Sequence, residues 1–152
     1  MADPLSIAGT AVSLVATIAR VVKDVEQFVR QIREARADMD GISRELWSLK
    51  AVLEMLTDDV KSGATVPPKL EDILKNCAEV MGRLDATLQQ YNSERLRVRV
   101  KYVWSGKEMI THYRDSLAAH KGALDLAVDL VTLSVLASLR ICSEYCLFSS
   151  RG

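Results

Sequence analysis

The sequence predicts an all-α fold, an up-and-down bundle of four to five helices, on three observations. Apolar residues recur every three or four positions along nearly the whole chain, helix-breaking residues cluster between those runs, and only one short stretch alternates as a strand would. At 152 residues the chain is long enough to bury a core without disulfides or metal, and a single domain over residues 1–152 is the simplest division.

The first helix is well signalled at its start, with Asp3 available as N-cap and Pro4 at the first helical position. From Leu5 to Ala19 it carries no charge, and Arg20 and Lys23 close the run. At about 100° per residue, Ile7, Ala11, Leu14, Val15, Ile18, Val21, Val22 and Val25 share one face. Ser6, Gly9, Thr10, Ser13, Thr17, Arg20 and Asp24 share the other. A surface helix normally carries Glu and Lys on its outer face, because charge solvates it and prevents association. Two readings follow. In the resting protein the helix is expected to be the centre of the bundle, covered on all sides. In an activated state it would enter a membrane, since extension to Val22, with Arg20 and Lys23 snorkelling, brings it to about 28 Å against a hydrocarbon core of about 30 Å. Leu5, Ile7, Leu14, Val15, Ile18 and Val22 would then be the inserting residues. The small row Gly9, Ser13 and Thr17, at four-residue spacing, would let neighbouring copies approach closely. A basic leader is missing ahead of the run, so a secretory signal is disfavoured.

Val21, Val25, Phe28, Ile32, Ala35 and Met39 continue the helical spacing, so the first helix is expected to reach about Arg36. The break is expected at Asp38 to Gly41, with Asp40 or Ser43 capping the next helix. Met39, Ile42, Leu46, Leu49, Leu53, Leu56 and Val60 then alternate by three and four, a coiled-coil-like seam. Lys61 to Pro68 is the clearest turn, because Gly63 permits a helix stop and two prolines forbid continuation. A third helix has its buried stripe at Leu70, Ile73, Leu74, Cys77, Val80, Met81, Leu84, Leu88 and Tyr91, and ends near Asn92 and Ser93. The second and third helices, joined by a short loop, are expected to pack antiparallel against each other.

Arg95 to Tyr102 alternates basic and apolar residues, but a lone strand would leave its backbone unsatisfied, so a loop or helix start is expected. Arg95, Arg97, Arg99 and Lys101 would face outward, either as solvated charge or as contacts to anionic headgroups at about 1 kcal/mol each. Trp104 is expected to anchor the last helix in the core. That helix runs from about Ser105 to Phe148, with Met109, Ile110, Tyr113, Leu117, His120 and Leu124 inward and Gly122 permitting a bend. Beyond Leu124 it becomes apolar almost all round, so it is either the most enclosed helix or a self-association surface.

Twenty basic and twenty acidic residues cancel, and aromatics are few, which argues against nucleic acid as a partner. The balance is local: residues 94–121 carry seven basic and three acidic side chains, so one end or face should be positive. Three cysteines without a secretion signal imply free thiols in a reducing interior, expected to be buried. No cofactor or metal is expected: phosphate-binding glycine loops, nucleophile elbows and paired metal ligands are missing from the sequence, and His112 and His120 are expected to be structural. The chain is therefore not expected to be an enzyme.

The opening Met-Ala-Asp-Pro-Leu-Ser-Ile-Ala-Gly-Thr-Ala-Val-Ser-Leu-Val resembles the start of fungal HeLo and HeLo-like domains, found on STAND or NLR-type immune receptors. Tyr102-Val-Trp-Ser-Gly-Lys107, followed by Leu117, His120, Lys121 and Leu124, is similar to that group's tryptophan-to-leucine segment. The resemblance implies a cell-death executioner, related in design to the four-helix bundle of the necroptosis pseudokinase. Such a domain is cytoplasmic at rest and homo-oligomerises on activation by a receptor or an amyloid-type signal. It then permeabilises the plasma membrane through its N-terminal helix, here Leu5 to Val22, with anionic lipids as partners. No nucleotide-binding module or prion-type motif follows Arg151, which departs from the group and is compatible with an excised domain. The alternative function is a signalling adaptor that assembles through the Met39 to Val60 seam or the apolar stretch after Leu124. A third is a small inhibitor of such a receptor.

Overall fold

The computed structural model describes residues 3–93 and 102–149, apart from the side chains of Val103 and Trp104. It contains four long helices: α1 (Pro4–Gln31), α2 (Arg36–Lys61), α3 (Leu70–Ser93) and α4 (Lys107–Ser149). A 3-10 turn, Arg33–Ala35, links α1 to α2, and a π-helical turn, Tyr102–Gly106, leads into α4. Among the described residues there is no strand.

α1 starts as its sequence dictates, with Asp3 Oδ1 accepting from the Leu5 N–H at 3.3 Å and Pro4 in the first turn. Its end differs from expectation. The helix stops at Gln31, and Ile32 turns extended (φ −130°, ψ 93°) while its N–H still donates to Phe28 O. α2 then begins at Arg36 and runs straight through Asp38 to Gly41, so Asp40 and Ser43 lie inside a helix and cap nothing. No breaking residue makes this reversal. Ile32 and Ala35 are both buried, so the 3-10 turn is held in the core by its apolar ends.

The seam of α2 is buried from Met39 through Val60, as its spacing required. The helix ends at Lys61 with Gly63 at φ 85°, where the Ala64 N–H reaches back to Asp59 O.

The four helices form a ring in the order α1, α2, α4, α3. Val12 and Val15 of α1 lie beside Glu54 to Lys61 of α2, whereas Val25 and Val29 lie beside Arg36 to Ser43, so these two helices are antiparallel. α2 and α4 run parallel: Lys121 Nζ meets Glu45 Oε2 at 3.0 Å, and Thr132 Oγ1 donates to Asp59 Oδ2. α1 and α3 are also parallel, tied by Arg20 to Asp85 at 2.8 Å and by Asn92 Nδ2 to Asp24 O at 3.2 Å. The expected side-by-side packing of α2 and α3 is therefore corrected: they sit on a diagonal. Helix axes about 9 Å apart give a diagonal of about 13 Å, which the Ser62 to Lys69 loop, with a reach of about 26 Å, spans easily.

The end of the bundle holding the C-terminus of α1 is closed by aromatics. Phe28, fully buried, packs on Tyr91 and Tyr102 with both ring centroids at 5.5 Å. Tyr102 Oη donates to Asp38 Oδ2 at 2.7 Å; burial, then this carboxylate, holds the phenol well above its ordinary range. The backbone comes closest at Gly106, where a Cβ would lie 2.6 Å from Tyr102 Cδ2.

α4 departs most from expectation. Ile110, Leu117, Leu124, Ala127, Val128 and Val131 are buried, and beyond Val131 no residue is. The helix outruns its neighbours, residues 132–149 extending for about 27 Å. It is the least enclosed helix rather than the most.

The cysteines divide accordingly. Cys77 is buried in α3, and loss of hydration pushes its thiol up to about 11. Cys142 and Cys146 are exposed on α4, against the expectation of burial, because the seam they continue has no helix left to face. Iodoacetamide is expected to modify two thiols quickly in the native protein and the third only after unfolding; a native mass shift of three would contradict this packing.

Candidate functional site

The residues expected to insert divide by burial. Ile7, Leu14, Ile18 and Val22 lie in the core, Val15 is half-buried, and Leu5 is 83% exposed. α1 is thus covered on one face only, which corrects the picture of a central helix. Gly9 and Ser13 are exposed, Thr17 is half-buried, and nothing approaches within 4 Å of where a Gly9 Cβ would stand. The missing charge on this face leaves no unmet polar group, because Thr10 and Thr17 return their hydroxyls to Ser6 O and Ser13 O at 2.9 and 3.0 Å.

One polar weakness lies under α1. Asp24 Oδ2 is buried without a hydrogen-bond donor, and its carboxyl is held above the usual range by lost hydration and by the facing Asp85, with Arg20 partly offsetting both. Protonation turns the two carboxyls from repelling acceptors into a hydrogen-bonded pair. The α1–α3 contact therefore gains stability as pH falls through the raised value toward 3.8 and loses it as pH rises. Asp24→Asn is expected to stabilise the bundle at neutral pH by about 1 kcal/mol or less and to flatten that pH dependence, as read by urea unfolding at pH 4 and pH 7.

Arg95, Arg97, Arg99 and Lys101 lie outside the described residues, as does the Trp104 side chain. Their flanks are placed: Ser93 ends α3, and Tyr102 packs on Phe28 at the aromatic end. Leu5 stands at the opposite end of α1, about 35 Å from Phe28.

At the same end of the bundle as Leu5 is the projecting part of α4. Its start faces the loop after α2, where Ser62 to Thr65 and Ser134, Val135, Ser138, Leu139 and Cys142 border a hollow of about 180 Å³. Leu133, Leu136, Leu139, Ile141, Tyr145, Leu147 and Phe148 are all exposed and, at about 100° per residue, spread over roughly two thirds of the helix circumference. Between Leu130 and Ser149 the only charges are Arg140 and Glu144. α1 and α4 are both long and apolar enough to cross a membrane, by length and composition alone, and α4 has the smaller buried share. The sequence signal for this element was the sparse charge after Asp129, which is equally compatible with enclosure.

At the aromatic end a wider cleft of about 770 Å³ opens where α1 hands over to α2, rimmed by Arg30, Arg33 and Arg36. No group of three or more His, Cys, Asp or Glu that could hold a metal occurs among the described residues, and His112 is exposed while His120 is half-buried.

Residues 2–146 match the family model described as pigment biosynthesis cluster protein PigL N-terminal. The chain belongs to this PigL N-terminal family. The match carries the fungal resemblance as far as a fungal helical domain, and it takes in all of α1, α2 and α3 and α4 as far as Cys146. Most of the projecting segment is therefore part of the PigL N-terminal pattern. No curated protein and no solved structure matches the chain.

Proposed function

We propose that this PigL N-terminal domain acts on membranes: a resting bundle that, once activated, oligomerises and permeabilises a bilayer in the manner of HeLo-like cell-death executioners. The observation that carries the reading is the apolar end of the bundle, where Leu5 at the start of α1 and the large apolar side chains of the projecting half of α4 are exposed at the same end. A partner helix covers one stripe, whereas a lipid phase covers the broad arc over which these side chains are spread. The buried face of α1 would follow, its release opposed by the core contacts of Ile7, Leu14 and Ile18.

Dye release from anionic vesicles tests this. Leu5→Glu with Val12→Glu changes two exposed positions, so the fold is retained while entry of α1 is blocked, and release is expected to fall to background. Leu14→Glu is uninformative, because Leu14 is buried and the substitution unfolds the resting bundle first. Undiminished release by the double variant would remove α1 from the mechanism.

The rival is an adaptor that assembles without touching lipid. It is favoured by one feature, the row Leu126, Leu130, Leu133, Ala137 and Ile141 along the outer side of α4, which a second helix could cover. Sizing in the absence of lipid separates the two, since an adaptor associates there and causes no leakage.

A further inference from the structure

We propose that the cleft between the end of α1 and the start of α2 binds a phosphorylated polyol bearing at least two phosphate groups. Three guanidiniums reach it from three successive elements: Arg30 from α1, Arg33 from the 3-10 turn and Arg36 from α2. None of the three has an ion-pair or side-chain hydrogen-bond partner among the described residues. Guanidinium presents two parallel N–H donors and matches phosphate oxygens bidentately, and three such forks exceed what a single phosphate uses.

The rest of the lining narrows the class. Glu26 and Asp40 stand in the same cleft and are acceptors only, so they suit hydroxyl groups and repel a uniformly charged polyanion. Ser43 adds a hydroxyl able to donate or accept. The described lining contains no aromatic side chain on which a nucleic-acid base would stack, and Val25 and Val29 give it an apolar floor instead. A volume of about 770 Å³ is that of a small-molecule site. Phosphates on the arginines, with hydroxyls on the two carboxylates, satisfy every polar group there. The chemistry is shared by a free sugar or inositol phosphate and by a phosphoinositide headgroup. The site lies at the end of the bundle away from Leu5, and the proposal does not rest on the membrane reading.

Calorimetry of the intact chain with a sugar bisphosphate tests it, alongside sedimentation with phosphatidylcholine vesicles with and without phosphatidylinositol bisphosphate. Binding to the free probe points to a soluble source, and binding only to the doped vesicles points to the headgroup; either supports the site. Arg33→Gln or Arg36→Gln is expected to weaken binding about tenfold, and the triple variant with Arg30→Gln to abolish it. All three side chains are exposed, so an unchanged helical circular dichroism spectrum shows that the fold survives. Asp40→Asn is the discriminating change: loss of a hydroxyl acceptor weakens polyol binding, whereas mere charge attraction tightens. Failure of both probes, full binding by the triple variant, or tighter binding by Asp40→Asn overturns the proposal.

Discussion

Glutamate placed together at Leu133, Leu136 and Leu139 is expected to abolish binding to anionic vesicles while leaving urea unfolding of the domain within about 0.5 kcal/mol of the parent. Each of these leucines is more than half exposed at rest, so the folded state loses little packing. In a bilayer the balance is different. A leucine near the centre of a membrane helix contributes about −0.5 kcal/mol and an acidic residue costs about 3 kcal/mol, so three exchanges disfavour entry by roughly 10 kcal/mol. Leu117 and Leu124, on the same helix but fully buried, supply the contrast: glutamate there should unfold the bundle outright. A triple variant that binds vesicles like the parent would rule out the α4 projection as the lipid-contacting element. One that is strongly destabilised would mean that the projection folds against the bundle.

Phe28→Ala is expected to cost about 3–5 kcal/mol, a large part of the 5–15 kcal/mol that holds a domain of this size together. Phe28 is fully buried and touches Tyr91 of α3 and Tyr102 of the π-helical turn, so its removal empties the junction of three elements rather than one pairwise contact. The cavity cannot close easily, because Tyr102 is held from its other side by the bond to Asp38 and by the close approach of Gly106. Urea titration followed by circular dichroism would measure the loss. A cost below about 1 kcal/mol would show that this end of the bundle repacks freely and that the aromatic cluster does not close it.

Helix type and buried face were legible wherever one face was decisively apolar. Met39 to Val60, the stripe of α3, and Ile7 to Val25 bury the residues their spacing required, with Val15, Ile73 and Val80 half-buried at the edges, since a helix turning about 100° per residue has only one way to hide such a row. The α1–α2 break lies earlier than capping chemistry at Asp40 and Ser43 suggests, because Ile32, Ala35 and Met39 keep helical spacing straight through the 3-10 turn and so give no sign of it. The small-residue face of α1 was legible as unusual, but whether it was covered was not, since a row of Gly, Ser and Thr suits a neighbour and open water alike. The arginine cleft was missed altogether. Arg30, Arg33 and Arg36 read singly as outward charges on an amphipathic pattern, and only the reversal of the chain between them turns them toward one volume.

By itself the sequence determined that this protein is helical, where most of its core residues lie, and that α1 and α4 lack the charge a solvated surface carries. The tertiary structure alone decided that α2 and α3 lie on a diagonal, that α4 outruns its neighbours, and that its bare half projects at the same end as Leu5 rather than lying inside the core. The reason is physical. Periodicity records which face of a helix avoids water, a property of neighbouring residues along one chain. What covers that face depends on the lengths and order of the other helices, and here the helices flanking α4 end before its apolar surface does.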